Sequence, residues 1–130
     1  MNNEQNQHTT LTLHGPGTDA FRKGVKRVFR QLRGLDDTDA RMNFWCCQRC
    51  GWASDECRSV GRFVFYHQQK HDAMMEGHPL YLHHATDHGA EADQAFAAEV
   101  VAMFEAEGFT VTYNGNPRTC IQIDSLEVVA

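Results

Sequence analysis

The sequence predicts an α+β domain: two long helices packed on one face of a four- or five-stranded, largely antiparallel sheet. Three observations carry this. Apolar residues recur at helical spacing from Phe21 to Leu32 and from Ala92 to Phe104. Shorter stretches alternate apolar and polar residues with period two, among them Arg62 to His67 and Phe109 to Tyr113. Turn formers such as His14-Gly-Pro-Gly17 and Asn114-Gly-Asn-Pro117 punctuate them.

Residues 1–17 read as a flexible tail in which Thr9 to Leu13 alternates enough for a short strand, and residues 18–130 as a single domain. Thr18 or Asp19 can accept a hydrogen bond from an orphan amide and so begin the first helix. Phe21, Val25, Val28, Phe29 and Leu32 form its apolar stripe, and Gly34 sits where a left-handed cap would end it. Gly34 to Arg41 reads as an acidic connector, and Asn43 to Cys47 as a buried strand entering a turn at Gln48 to Gly51. Arg62 to His67 is a strand with Phe63 and Phe65 on one face and Val64 and Tyr66 on the other. Gln68 to Met75 is a short helix stopped by Gly77, and Pro79 to His84 a strand with Leu80 and Leu82 facing one way. The second long helix runs from about Ala90 to Glu107 and ends at Gly108. Phe109, Val111 and Tyr113 then alternate into a hairpin whose return strand is Thr119 to Ile123.

Composition limits the function classes. At 130 residues and 42% hydrophobic, the chain suits one globular domain. A net charge of −5 lacks the basic footprint of a general nucleic-acid binder. The local exception is Arg22, Lys23, Lys26, Arg27, Arg30 and Arg33, mostly on the polar face of the first helix, which reads first as a solvated face and second as a surface for an acidic or phosphate-bearing partner. Protonating all eight histidines would move the formal charge from −5 to +3. No apolar run approaches the ~20 residues that span a bilayer. Met1 to Thr12 is polar and unlike a secretory signal, so the expected compartment is the cytoplasm, where five cysteines stay reduced.

The sharpest local feature is Cys46-Cys47-Gln48-Arg49-Cys50-Gly51-Trp52. Cys47 and Cys50 form a C-x-x-C pair, and two thiolates at that spacing across a tight turn can reach one tetrahedral zinc ion. Gly51 would let the turn adopt positive φ. No second C-x-x-C follows, so the candidate ligand set is Cys47, Cys50, Cys57 and His67. Reduced structural thiols and a dithiol redox pair are the other readings. The redox reading is weakened by Ser54-Asp55-Glu56, whose acids replace the apolar helix that would lower a nucleophile's pKa. Cys46 adds a third sulfur that would favour scrambling.

Six histidines fall between His67 and His88. His67-Gln68-Gln69-Lys70-His71 has the i, i+4 histidines of a metalloprotease but lacks the glutamate that serves as general base, which excludes peptide hydrolysis by that motif. A bare histidine pair can still hold a metal. Cys50 with a histidine would make a nucleophile–base pair, though no orienting third group can be chosen. No nucleophile elbow and no phosphate-cradling glycine loop is present.

Together, Phe44-Trp-Cys-Cys-Gln-x-Cys-Gly51, Phe63-Val-Phe-Tyr-His-Gln-Gln69, Leu80-Tyr-Leu82 and Gly108-x-x-Val-x-Tyr-x-Gly115 resemble a family of small uncharacterised bacterial proteins, a domain of unknown function. The resemblance runs from about Asp19 to Asp124. The pattern it implies includes Cys46, Cys47, Cys50, Gly51 and His67 but not Cys57, and it often has an acid where this chain has Lys70. The resemblance supplies no activity.

The reading that follows is a non-enzymatic binding or interaction domain with a structural Cys/His cluster that admits zinc and an unidentified protein partner. The alternative is a thiol enzyme using Cys47 or Cys50, by disulfide exchange or with His67 as base. A homodimer is expected if Thr119 to Ile123 is left as an open edge.

Overall fold

The computed structural model describes residues 11–54 and 60–129. The elements are β1 (Leu11–His14), α1 (Asp19–Arg33), β2 (Thr38–Arg41), α2 (Gln48–Trp52), β3 (Arg62–Phe65), α3 (Gln68–Met75), β4 (Leu80–Thr86), α4 (Ala90–Glu107), β5 (Phe109–Thr112) and β6 (Ile121–Val129). The fold is mixed α+β with six strands among the described residues, more than the four or five expected. The tail reading of the first ten residues lies outside the described residues; the expected N-terminal strand is present from Leu11 onward.

β6 is the hub of the sheet. Ile123 pairs with Leu80 of β4 on one edge and Val111 of β5 on the other, and Leu126 likewise lies between His14 of β1 and Phe109 of β5. Its Thr119 to Ile123 end is therefore not the open edge expected to recruit a second copy. The turn residues Asn114 to Pro117 do connect β5 to β6, and the pairing runs on to Val129; a register shift opposite Thr110 and Val111 resets the alternation, so that Leu126 is buried like Ile121 and Ile123. β4 pairs antiparallel with β3.

β2 then joins β3 in parallel, with Ala40 opposite Val64. The antiparallel expectation holds for every pair but this one. The strand Thr38–Arg41, read from sequence as connector, escapes notice because Ala40 is its only buried side chain. A parallel pair needs a long crossover, and residues 42–61 supply it. That crossover carries the thiol cluster, so the parallel step in the sheet is what positions the site.

α1 and α4 touch each other, and both contact β6. Phe21, Val25, Phe29 and Leu32 of α1 interlock with Phe96, Val100 and Phe104 of α4 over Val64, Leu80, Leu82, Ile121 and Ile123. Thr18 caps α1: its Oγ1 accepts from the Phe21 N–H at 3.2 Å. Gly34 follows α1 with φ −81°, a right-handed ending rather than the left-handed cap expected. α4 does end left-handed, at Gly108 with φ +112°, where a Cβ would meet the Glu127 carbonyl at 2.6 Å. Among the described residues no helix is long and apolar enough to cross a membrane.

Candidate metal centre

The second face of β3 and β4 builds the site. Phe63 and Phe65 alternate away from the main core, and His83 lies opposite Phe65 in the ladder, on the same face. Phe44, from the crossover, packs on both phenylalanines with centroids 5.6 and 5.7 Å away, and Trp52 of α2 meets Phe65 edge-on at 4.9 Å. The crossover is pinned to the strand end by backbone bonds: Phe44 N–H donates to Tyr66 O at 2.8 Å, and Gln68 N–H to Trp45 O at 2.9 Å.

The expected buried strand from Asn43 to Cys47 is absent. Asn43 and Trp45 have φ of +50° and +63°, which bends the segment instead, and Trp45 is half exposed. The expected turn at Gln48 to Gly51 is the short helix α2. Gly51 is required for a different reason from the one its sequence position suggested. Its φ is not positive; a Cβ there would lie 2.5 Å from Phe65 Cε2. Glycine lets α2 sit directly on that ring.

Cys47 is the residue before α2, and Cys50 lies one turn into it. Cys47 Sγ and Cys46 Sγ lie 3.6 and 3.7 Å from Cys50 Sγ, and all three sulfurs fall within 4.8 Å of one another. Cys46 is exposed, the other two half-buried. Hydrogen bonds from the Cys50 backbone N–H and the Cys50 thiol hold the Cys47 thiol below its usual range, and the Arg49 N–H and Cys46 thiol add to this. The same hydrogen bond to Cys47, with that to Cys46, favours the protonated Cys50 thiol and pushes it up to about 11.

Of the four ligands expected from sequence, Cys47 and Cys50 come together here. Cys57 lies outside the described residues. His67 lines a cavity of about 620 Å³ with Cys47, between α2 and α3, but does not belong to the three-sulfur group. The residue is only 4% exposed, and its ring stacks on His83, with centroids 5.2 Å apart and planes 20° apart. Its Nδ1 is buried without a hydrogen-bond partner among the described residues, and burial lowers its pKa, with Lys70 adding to the effect. The third neighbouring sulfur is Cys46. Its signal in the sequence is the Cys46-Cys47 doublet, which sets a second sulfur four residues before Cys50.

The His67/His71 pair does not converge. His71 lies parallel to Tyr66, with centroids 6.1 Å apart, and lines a different cavity. A thiol–imidazole contact does exist, but between residues that sequence reasoning did not pair: Cys120 Sγ lies 3.5 Å from His83 Nδ1. The β4–β6 register, Leu82 opposite Ile121, brings these two positions side by side, and no local pattern announces it. Burial pushes the Cys120 thiol up and holds His83 down at about 4, the latter helped by His67, Lys70 and His84. Both partners are therefore neutral near pH 7, which makes the contact a packed hydrogen bond and not an activated thiolate.

The arrangement as a whole offers three soft sulfur donors on one short segment, backed by an aromatic and imidazole wall. No curated protein and no solved structure matches the chain. Residues 17–128 match the family DUF6891, a domain of unknown function, and the chain belongs to that family.

Proposed function

We propose that this domain is a non-enzymatic binding module whose thiol turn is locked by a structural zinc ion, and that it presents this face to a protein partner. Cys46, Cys47 and Cys50 would supply three thiolate ligands, and Cys57 or His67 the fourth. The observation that carries this reading is the sulfur spacing. Two sulfurs bound tetrahedrally to zinc at ~2.3 Å stand ~3.8 Å apart, and the two closest separations here are 3.6 and 3.7 Å. Zinc binds thiolates, and the amides that favour an ionised Cys47 would favour its ligation. Bound zinc would cross-link the start of α2, a helix of five residues that is too short to hold itself together in water.

Native mass spectrometry of the reduced chain with added zinc tests the proposal. The expected result is one zinc per chain, lost in Cys50→Ala. Cys57→Ala and His67→Ala then identify the fourth ligand by which of them weakens binding. A bare polypeptide mass in the presence of zinc, with all five thiols freely titratable, would overturn the reading.

One observation favours a second reading, disulfide exchange. Cys47 is shifted toward thiolate while Cys50 keeps its proton, the asymmetry that an attacking and a resolving thiol require. In that case Cys47 would attack a substrate disulfide, and Cys50 would close the Cys47–Cys50 bond as the substrate leaves as a dithiol. Faster alkylation of Cys47 than of free cysteine at pH 6, in the metal-free chain, would support it.

A further inference from the structure

The basic run of α1 takes no part in the thiol face. Arg27 pairs with Glu107 of α4 at 2.5 Å, and Arg33 donates to the Ala40 carbonyl at 2.9 Å, so both are tied into the fold. Arg22 and Lys26, one turn apart, line a separate cavity of about 240 Å³ between α1 and α3. It shares no lining residue with the cavity beside Cys47.

This cavity has two chemical halves. Its floor is apolar: Val25, Tyr66 and Met74 all belong to the buried core. The remainder of the lining includes Arg22, Lys26, Asn43 and His71, and no acidic residue. Arg22 spends one amino group on Asp19, yet its Nε is buried with no hydrogen-bond partner among the described residues. His71 Nδ1 is in the same condition, on a ring held flat against Tyr66. A buried donor or acceptor left unmatched is costly, and both residues that carry one stand in the lining of this cavity.

We propose that this cavity is a binding site for a small monocarboxylate with an apolar body. The carboxylate would be held by Arg22, Lys26 and His71, with the body laid on Val25, Tyr66 and Met74. A two-oxygen planar anion suits the guanidinium edge. The apolar floor argues for an organic acid over free phosphate, which would leave that floor uncovered. At about 240 Å³ the cavity falls below the ~300–1,000 Å³ of drug-sized sites, so the ligand is of the size of a short aliphatic or single-ring acid.

Sodium benzoate serves as the probe in a two-dimensional amide NMR titration of the full chain. Benzyl alcohol carries the same ring without the charge, and inorganic phosphate a charge without the ring. Benzoate is expected to shift the Val25, Tyr66, His71 and Met74 amides saturably, with both controls about tenfold weaker or worse. Arg22→Gln and, separately, Lys26→Gln should each weaken benzoate about tenfold while keeping the parent's dispersed spectrum; the exposed Lys26 keeps the test valid if Arg22→Gln does not fold. No saturable shift with benzoate, phosphate binding as well as benzoate, or parent-like benzoate affinity in the folded variants would overturn the proposal.

Discussion

The two faces of the sheet are built from different materials. Under α1 and α4 lies a layer of valine, leucine, isoleucine and phenylalanine, closed by two helices of 15 and 18 residues. The opposite side of β3 and β4 carries phenylalanine and histidine, against which lie one five-residue helix and a bent segment with two non-glycine residues at positive φ. The first face is held by area removed from water. The second depends on ring-on-ring fit, one obligatory glycine and, on the zinc proposal, an ion. The difference separates what makes the chain fold from what makes the site.

The largest expected effect breaks the first face. Phe104 is fully buried among Phe29, Phe109 and the β6 isoleucines. Phe104→Ala should cost ~3–5 kcal/mol, read as a lower urea midpoint at unchanged slope, and the thiol face should unfold with everything else. If the thiol turn lost its zinc well before the core melted, the faces would be separate cooperative units.

Gly51→Ala attacks the second face alone. The new Cβ would stand 2.5 Å from the Phe65 ring, and overpacking of this kind costs ~1–3 kcal/mol. Zinc affinity should fall while the far-ultraviolet circular dichroism spectrum stays that of the parent. Unchanged zinc binding would mean that α2 can lift off Phe65 without disturbing the sulfurs.

Acid should also find the second face first. Burial holds His83 at about 4, below the ordinary ~6.5 of an unfolded chain. The unfolded state therefore binds more protons between those values. Stability is full above pH ~6.5, falls as pH drops toward 4 and levels off for this group below it, a loss on the order of 2 kcal/mol for His83. His83→Phe keeps the ring packing against Phe65 and should show a shallower decline in urea-melt stability between pH 6.5 and 4. An equal slope in the variant would remove His83 from the pH response.

The same division explains what the sequence discloses. Both long helices, the Thr18 cap, the Gly108 stop, the faces of β3 and the helix Gln68–Met75 follow from periodicity and capping, which are local. Thr38–Arg41 was hidden because an edge strand with one buried alanine leaves no alternation to read. Asn43 to Cys47 misled because its aromatic and thiol residues have strand-like propensity, and only contact with Phe63 and Phe65 bends them otherwise. At the site, Cys47 and Cys50 were legible from their spacing. Placing His67 and pairing His83 with Cys120 depended on strand order and register, which no stretch of this chain encodes by itself.

The smallest expected effect sharpens the comparison at the helix starts. Thr18 donates to Gly15 O at 2.8 Å and accepts from Phe21 N–H, whereas Cys47 begins α2 with only its thiol turned to the Cys50 and Arg49 amides. Thr18→Ala should cost ~1 kcal/mol, measured by urea titration, with zinc stoichiometry unchanged. The sulfur at the start of α2 is one that zinc would bind, so the order of α2 should respond to the ion. Hydrogen exchange at the amides of residues 49–52 should slow on metal binding, while the middle of α1, already protected by the core, should not change. Equal slowing in both helices would mean that the ion stabilises the whole domain, and that the thiol turn is part of the fold rather than an attachment to it.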